Sequence, residues 1–194
     1  MIYLVRHGQT KFNVEQRHQG HIDSPLTELG REQARRAGEV LATLIDPRDS
    51  VIFSSPLGRA LQTATIIADV TAAERSIIVD PDLMEIGMGS AEGMIQADVV
   101  KRWAVPGANS TGKTMSLWSP DGENLEALAE RLDRALRRIV YDHAGSRVVV
   151  THGVAGRVFQ AIYLGLGCAD ASRFDTPQDT LFCLSDNGIA RIPY

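Results

Sequence analysis

The chain has 194 residues, 44% of them hydrophobic and 23% charged, the proportions of an ordinary globular protein. That length suits one domain and buries a sizeable core without disulfide or metal staples. A net charge of -4 and a pI near 5.7 exclude a general nucleic-acid binder, so positive charge for an anionic ligand has to be gathered locally.

Ile2-Tyr3-Leu4-Val5 reads as a short buried strand that runs directly into Arg6-His7-Gly8. Gln9 to Leu26 is polar and irregular. Thr27 is the predicted N-cap of a helix from Glu28 to Ile45, with Leu29, Ala34, Ala37, Val40, Leu41 and Leu44 as its apolar stripe. Val51-Ile52-Phe53 is a second strand, followed by a helix to Val70 with Ser55 as cap and Pro56 as first helical residue. Ile77-Ile78-Val79 is a third strand candidate. Residues 94–122 have a poor pattern, with a short helix to Trp103, and read as an inserted loop or cap. Leu125 to Asp142 is a long amphipathic helix, Arg147 to Thr151 a strand, and Val154 to Leu164 a helix. Leu181 to Leu184 and Ala190 to Ile192 form a closing hairpin around Asp186-Asn187-Gly188.

Strands alternating with helices predict an α/β fold: a three-layer α/β/α sandwich with a mostly parallel central sheet. Residues 1–194 form a single predicted domain, with 94–122 as the insertion. No apolar run approaches about 20 residues and no basic-then-apolar leader opens the chain, which predicts a cytoplasmic protein with no membrane partner. Cys168 and Cys183 lack metal-ligand spacing and read as buried thiols.

In open α/β sheets, ligands bind at the carboxyl ends of the strands. Those ends carry Arg6-His7-Gly8, Ser54-Ser55 with Arg59 just beyond, Glu85, and Thr151-His152-Gly153. These are the residue types that phosphoryl transfer uses. A neutral imidazole attacks phosphorus, arginine forks match phosphate oxygens, and a carboxyl group protonates the leaving alkoxide.

The motifs carry a further resemblance. Arg-His-Gly-Gln-Thr-Lys-Phe-Asn at 6–13, the segment 19–30, Ser-Ser-Pro-Leu-Gly-Arg-Ala-Leu-Gln-Thr-Ala at 54–64, Leu83 to Gly93, and Val-Thr-His-Gly at 150–153 resemble, in order, the motifs of the histidine phosphatase superfamily, phosphoglycerate mutase-like branch. The resemblance implies His7 as phosphorylated nucleophile, Glu85 as proton donor and later base, and Arg6, Arg59 and His152 as the charged phosphate pocket. Asn13 falls on a phosphate-contacting position, Gln19 and Gly20 fall on a substrate-binding loop, and Gly8 and Gly153 supply close backbone approach. The implied partner is a small phosphorylated substrate, with no metal and no cofactor, in a monomer or homodimer.

Departures from the family pattern matter. Phe12 stands where Trp is common, and Gly87-Met88 replaces an Asp-Phe pair, predicting a looser loop after the acid. The mutases carry an Asn-Glu-Arg-x-Tyr-Gly run and paired arginines in a longer insert; here Lys101-Arg102 and Lys113 stand instead. This favours a phosphatase working through a phosphohistidine, with a cofactor-dependent phosphoglycerate mutase and a non-catalytic binding protein as the alternatives. Residues 107–114 satisfy the P-loop pattern, but no apolar strand feeds the run, which therefore reads as a cap or solvated loop. Arg31, Arg35, Arg36, Arg134, Arg137 and Arg138 read as solvated helix faces, and Glu92 as a structural hydrogen-bonding group or a second acid.

Overall fold

The computed structural model describes residues 1–73, 77–103, 119–142 and 144–194. Its strands are β1 (Ile2–Arg6), β2 (Ser50–Ser54), β3 (Ile78–Val79), β4 (Ser146–Thr151), β5 (Thr180–Ser185) and β6 (Gly188–Pro193). They form one sheet in the order β3-β2-β4-β1-β5-β6. The first four are mutually parallel; β5 and β6 are the predicted hairpin and run antiparallel. Successive strand side chains point to opposite faces. Ile2, Leu4, Val51, Phe53 and Val149 therefore share one core with helices α5 (Leu125–Asp142) and α6 (Gly153–Tyr163). Tyr3, Val5, Ile52, Val148 and Val150 share the other with α2 (Glu28–Ala42) and α3 (Gly58–Thr71). The three layers follow from that alternation, as predicted.

Several local readings change. The irregular stretch after β1 holds a one-turn helix, α1 (Lys11–Val14), closed by a capping box between Thr10 and Asn13. Thr27 caps α2, but the helix ends at Ala42, which leaves Leu44 beyond it and exposed. Leu29 is exposed as well, because Gly30, not Leu29, faces the inner segment at that end. Helix α3 begins at Gly58, later than the Ser55-Pro56 reading. Its first turn is capped from another segment: Asp23 Oδ1 accepts from the Arg59 N–H at 3.2 Å, while Ser55 Oγ accepts from Leu57 N at 3.3 Å, ahead of the helix, and meets His152. β3 is two exposed residues at the sheet edge and excludes Ile77. Cys168 and Cys183 are free and only half-buried.

The described part of the insertion contains α4 (Gln96–Trp103), the expected short helix; the run 107–114, Met115 and Trp118 lie outside the described residues. Residues 119–123 are bonded to the loop after Glu85. Ser119 Oγ donates to Met88 O at 2.7 Å, Ser90 Oγ to Asp121 at 2.6 Å, and Gly87 N and Glu123 N exchange bonds with Glu123 Oε2 and Gly87 O. The loop predicted to be looser is pinned instead. Arg134 and Arg138, read as solvated, pair with Asp82 and Asp80 and tie α5 to the turn before the acid. Among the described residues no helix is long and apolar enough to cross a membrane.

Candidate active site

Register places the two histidines together. In the parallel β1/β4 pair Arg6 faces Thr151, so the next residues, His7 and His152, leave the sheet side by side. Their ring centroids are 5.2 Å apart. On the other side of β4, Ser54 faces Val150, which brings Ser55 within reach of His152. His152 Nε2 meets Ser55 Oγ at 2.8 Å.

Both imidazoles are buried, and both lie well below the usual histidine range. For His7 the cause is burial first, then the charges of Arg59 and Arg6. For His152 it is burial, then Arg59, His7 and Arg6. Each ring is therefore neutral at pH 7. His7 Nδ1 lies 2.8 Å from the Gly8 carbonyl, an acceptor, so Nδ1 carries the proton and the Nε2 lone pair is free.

The acid segment is reached through β3. Asp80 caps a 3-10 turn at Pro81–Leu83, and Thr151 Oγ1 donates to Leu83 O at 2.8 Å. The buried Glu85 carboxylate sits at the N-terminus of α6. It accepts from Val154 N at 3.1 Å, Ala155 N at 2.9 Å and Ile86 N at 3.0 Å. Arg131 of α5 holds the backbone beneath it, donating to the carbonyls of Asp82, Met84 and Glu85 and to both oxygens of Glu123.

A cavity of ≈ 480 Å³ opens over these groups. Arg6, His7, Asn13, Gln19, Gly20, Arg59, Glu85 and Gly153, all named from the sequence, line it. His152 is fully buried beside His7. Gly8 does not line the cavity; a Cβ there would collide with the Gly30 carbonyl, so the close approach it permits is to α2 and not to a ligand. Gly20 takes a left-handed φ of 51° beside Glu92. Glu92 itself accepts from His21 N and Met88 N, which joins two loops and gives it the structural role of the two foreseen.

Arg59, fully buried, spends much of its fork on the protein. It donates to Gly20 O at 2.8 Å and Ile22 O at 3.0 Å, and pairs with Asp23 at 3.3 Å, bracing the loop that carries Gln19 and Gly20. Arg6 donates to Thr176 O at 2.9 Å. Among the described residues, Arg6 Nε, Arg59 Nε and His152 Nδ1 are buried without a protein partner, as is Nε2 of His18 on the cavity wall. Among the described residues no group of three or more His, Cys, Asp or Glu is arranged to hold a metal.

Sequence reasoning missed Arg131 and Arg157, and with them Arg17, His18 and Asp175 on the cavity wall. A signal existed for the first two. Arg131 falls between Leu128 and Leu132 on the inward stripe of α5, and Arg157 between Val154 and Val158 on that of α6. An arginine on an inward face has a buried task.

The chain is similar to known proteins over most of its length. The histidine phosphatase superfamily (branch 1) matches residues 2–186. The probable phosphoglycerate mutase GpmB of Enterobacter sp. (strain 638) is 40% identical over 169 residues, covering 85% of this chain and 75% of that one. Phosphoglycerate mutase-like protein 4 of Arabidopsis thaliana is 39% identical over 154 residues, covering 78% and 66%. Among solved structures, the mycobacterial glucosyl-3-phosphoglycerate phosphatase in complex with VO3 superposes with a TM-score of 0.79 at 28% identity, covering 99% of this chain and 96% of that one.

Proposed function

The chain belongs to the histidine phosphatase superfamily, and from that premise we propose that it is a metal-independent phosphomonoesterase passing the phosphoryl group of a small metabolite through His7 to water. The observation that carries this reading is the set of buried nitrogens left unpaired around His7. An unsatisfied buried donor costs about 1–3 kcal/mol. An arginine N–H accepts nothing and has to be met by an acceptor, and a phosphoryl group brings three equatorial oxygens for Arg6 Nε, Arg59 Nε and His152 Nδ1. His152 Nε2 meets Ser55 Oγ at 2.8 Å; with the hydroxyl as donor, Nδ1 is the protonated nitrogen and can donate to such an oxygen.

In the first step the His7 Nε2 lone pair attacks phosphorus and the ester P–O bond breaks. A proton brought in with the substrate monoanion passes through Glu85 to the departing oxygen, which leaves as an alcohol, and Glu85 returns to the carboxylate. The charge gained by the phosphorylated ring is met by its Nδ1–H bond to the Gly8 carbonyl. In the second step water attacks phosphorus, Glu85 takes its proton, the P–N bond breaks and orthophosphate departs. Guanidinium charge does the neutralising that a divalent cation would otherwise supply.

The mutase reading is favoured by the names of the relatives and disfavoured by the described part of the insertion. Lys101 and Arg102 are exposed; Lys101 pairs with Asp98 at 3.6 Å, Arg102 stacks on Trp103, and neither lines the cavity. The test is phosphate release from a panel of phosphorylated metabolites with and without chelator, alongside 3-phosphoglycerate isomerisation with a bisphosphate primer. We expect chelator-insensitive phosphate release, and an acid-labile, base-stable label that is lost in His7→Ala and persists at reduced yield in His152→Ala. Abolition by chelator with restoration by a divalent ion, label on another residue, or efficient isomerisation would overturn the reading.

A further inference from the structure

One cation of the cavity has no part in the chemistry above. Arg157 lies on the second turn of α6, is half-buried and lines the cavity wall. Helical side chains lean toward the N-terminus of their own helix, the end of α6 at which the Glu85 carboxylate sits, and Glu85 is the first of the two acidic neighbours of Arg157. The other arginines of the cavity are held by protein acceptors: Arg6 by Thr176 O, Arg59 by Gly20 O, Ile22 O and Asp23, Arg17 by Glu15 and Gly93 O. Arg157 donates to no protein acceptor among the described residues.

Its two acidic neighbours, Glu85 and Asp175, are already committed. Glu85 takes three backbone N–H groups, and both oxygens of Asp175 accept from Arg191 Nη1 at 2.9 Å. A single phosphoryl group does not fill a cavity of ≈ 480 Å³, and Arg157 lines its wall within electrostatic reach of Arg6, Glu85 and Asp175. A half-buried guanidinium with an open fork calls for a planar or tetrahedral anion.

We propose that Arg157 binds a second anionic group of the substrate, which is therefore a phosphomonoester carrying a carboxylate or a further phosphate a few bonds from the scissile phosphorus. The proposal rests on the phosphomonoesterase reading for the location of the scissile group. It makes Arg157 a specificity-determining residue, acting on the part of the substrate that does not react.

Binding of non-hydrolysable ligands tests it without relying on turnover. Ethylphosphonate, phosphonoacetate and methylenebisphosphonate are titrated calorimetrically into the wild type, Arg157→Met and Arg157→Lys, with thermal melts to establish that each variant is folded. The wild type should favour one of the doubly anionic ligands over ethylphosphonate by about 10- to 100-fold, the worth of a charged hydrogen-bonded pair. Which of the two prevails separates a carboxylate from a second phosphate. In folded Arg157→Met that ratio should fall to near one, whatever loss is common to all ligands, and Arg157→Lys should restore part of it. The ratio of kcat/KM for 3-phosphoglycerate against glycerol 3-phosphate should follow the same pattern.

A wild-type ratio near one for both acids, or a ratio unchanged in folded Arg157→Met, would overturn the proposal and leave Arg157 as a counter-charge for Glu85 and Asp175. Phosphate release without an Arg157-dependent ratio would sink this proposal alone. An Arg157-dependent ratio without phosphate release would sink the phosphomonoesterase reading alone.

Discussion

Replacing Glu85 with glutamine separates the acid's chemistry from its structural work, because the structure says what each is worth. Oε1 accepts from Ile86 and Ala155, and Oε2 from Val154. A glutamine oxygen can serve the first pair, but its amide NH2 then faces the Val154 N–H, donor against donor. Losing a hydrogen bond to a charged group costs about 1.5–3 kcal/mol. Losing the negative charge at the start of α6 removes roughly 0.3–1 kcal/mol more. In total about 2–4 kcal/mol of stability should go, lowering Tm by about 4–15 °C in a chain of this size. The assay temperature has to stay below that melt.

The catalytic cost is distinguished by leaving group. An alkyl phosphate departs as a strongly basic alkoxide and requires the proton; a nitrophenyl phosphate departs as a stable phenolate and does not. In rapid-quench measurements the phosphorylation step of Glu85→Gln should slow by roughly 10²–10⁴ for the alkyl ester, about 3–5 kcal/mol of barrier. For the nitrophenyl ester it should change little, giving a burst of nitrophenol and then slow turnover as water attack loses its base. Both esters share the phosphate pocket, so structural disturbance cancels in the comparison. Equal slowing of both would refute Glu85 as the acid. Asp175 would then be the candidate, as the other carboxyl lining the cavity; Glu92 is committed to two loop N–H groups and does not reach it.

Stability should fall with pH below about 6.5, the unfolded histidine value. His7 and His152 are held neutral in the fold while the unfolded chain takes up their protons, so each contributes a loss of up to about 1.4 kcal/mol per pH unit as pH drops toward the depressed folded values. Melts from pH 7.5 to 5 should show the decline, and His152→Ala should flatten it; a pH-independent Tm would contradict the burial argument. Asp23→Ala removes both the cap of α3 and the partner of Arg59, and should cost about 0.5–2 kcal/mol of stability and raise KM for phosphate esters; an unchanged KM would mean that Arg59 does not need its brace. Arg131→Met should cost about 3–5 kcal/mol, because it strands Glu123 and three carbonyls, and should lower kcat for alkyl esters more than for nitrophenyl phosphate; an equal fall for both would make Arg131 purely structural.

The chain by itself determined which residue types the candidate site holds and the order in which they are delivered. Two His-Gly pairs after apolar strands, an arginine after each of the first two strands' motifs and a carboxylate after the third are local facts of sequence. So is the strand–helix alternation that makes a layered fold, since side-chain period is a property of adjacent residues. Element ends were less legible. The start of α3 depends on Asp23, which lies 36 residues before the N–H it caps, and no spacing within the helix announces it.

Only tertiary structure decided who meets whom. His7 and His152 are neighbours because β1 and β4 pair in one register, and Ser55 joins them because β2 pairs with the far side of β4. That strand order is set by the global burial of two sheet faces and leaves no local trace. The same holds for the division of labour among the arginines. From sequence, Arg6 and Arg59 are equivalent phosphate ligands. In the fold Arg59 braces the loop of Gln19 and Gly20, Arg131 holds the backbone of Glu85, and Arg157 donates to no protein acceptor among the described residues. Which hydrogen-bond acceptors lie within reach of a guanidinium is fixed by segments far away in the chain, and burial makes each of those pairings obligatory.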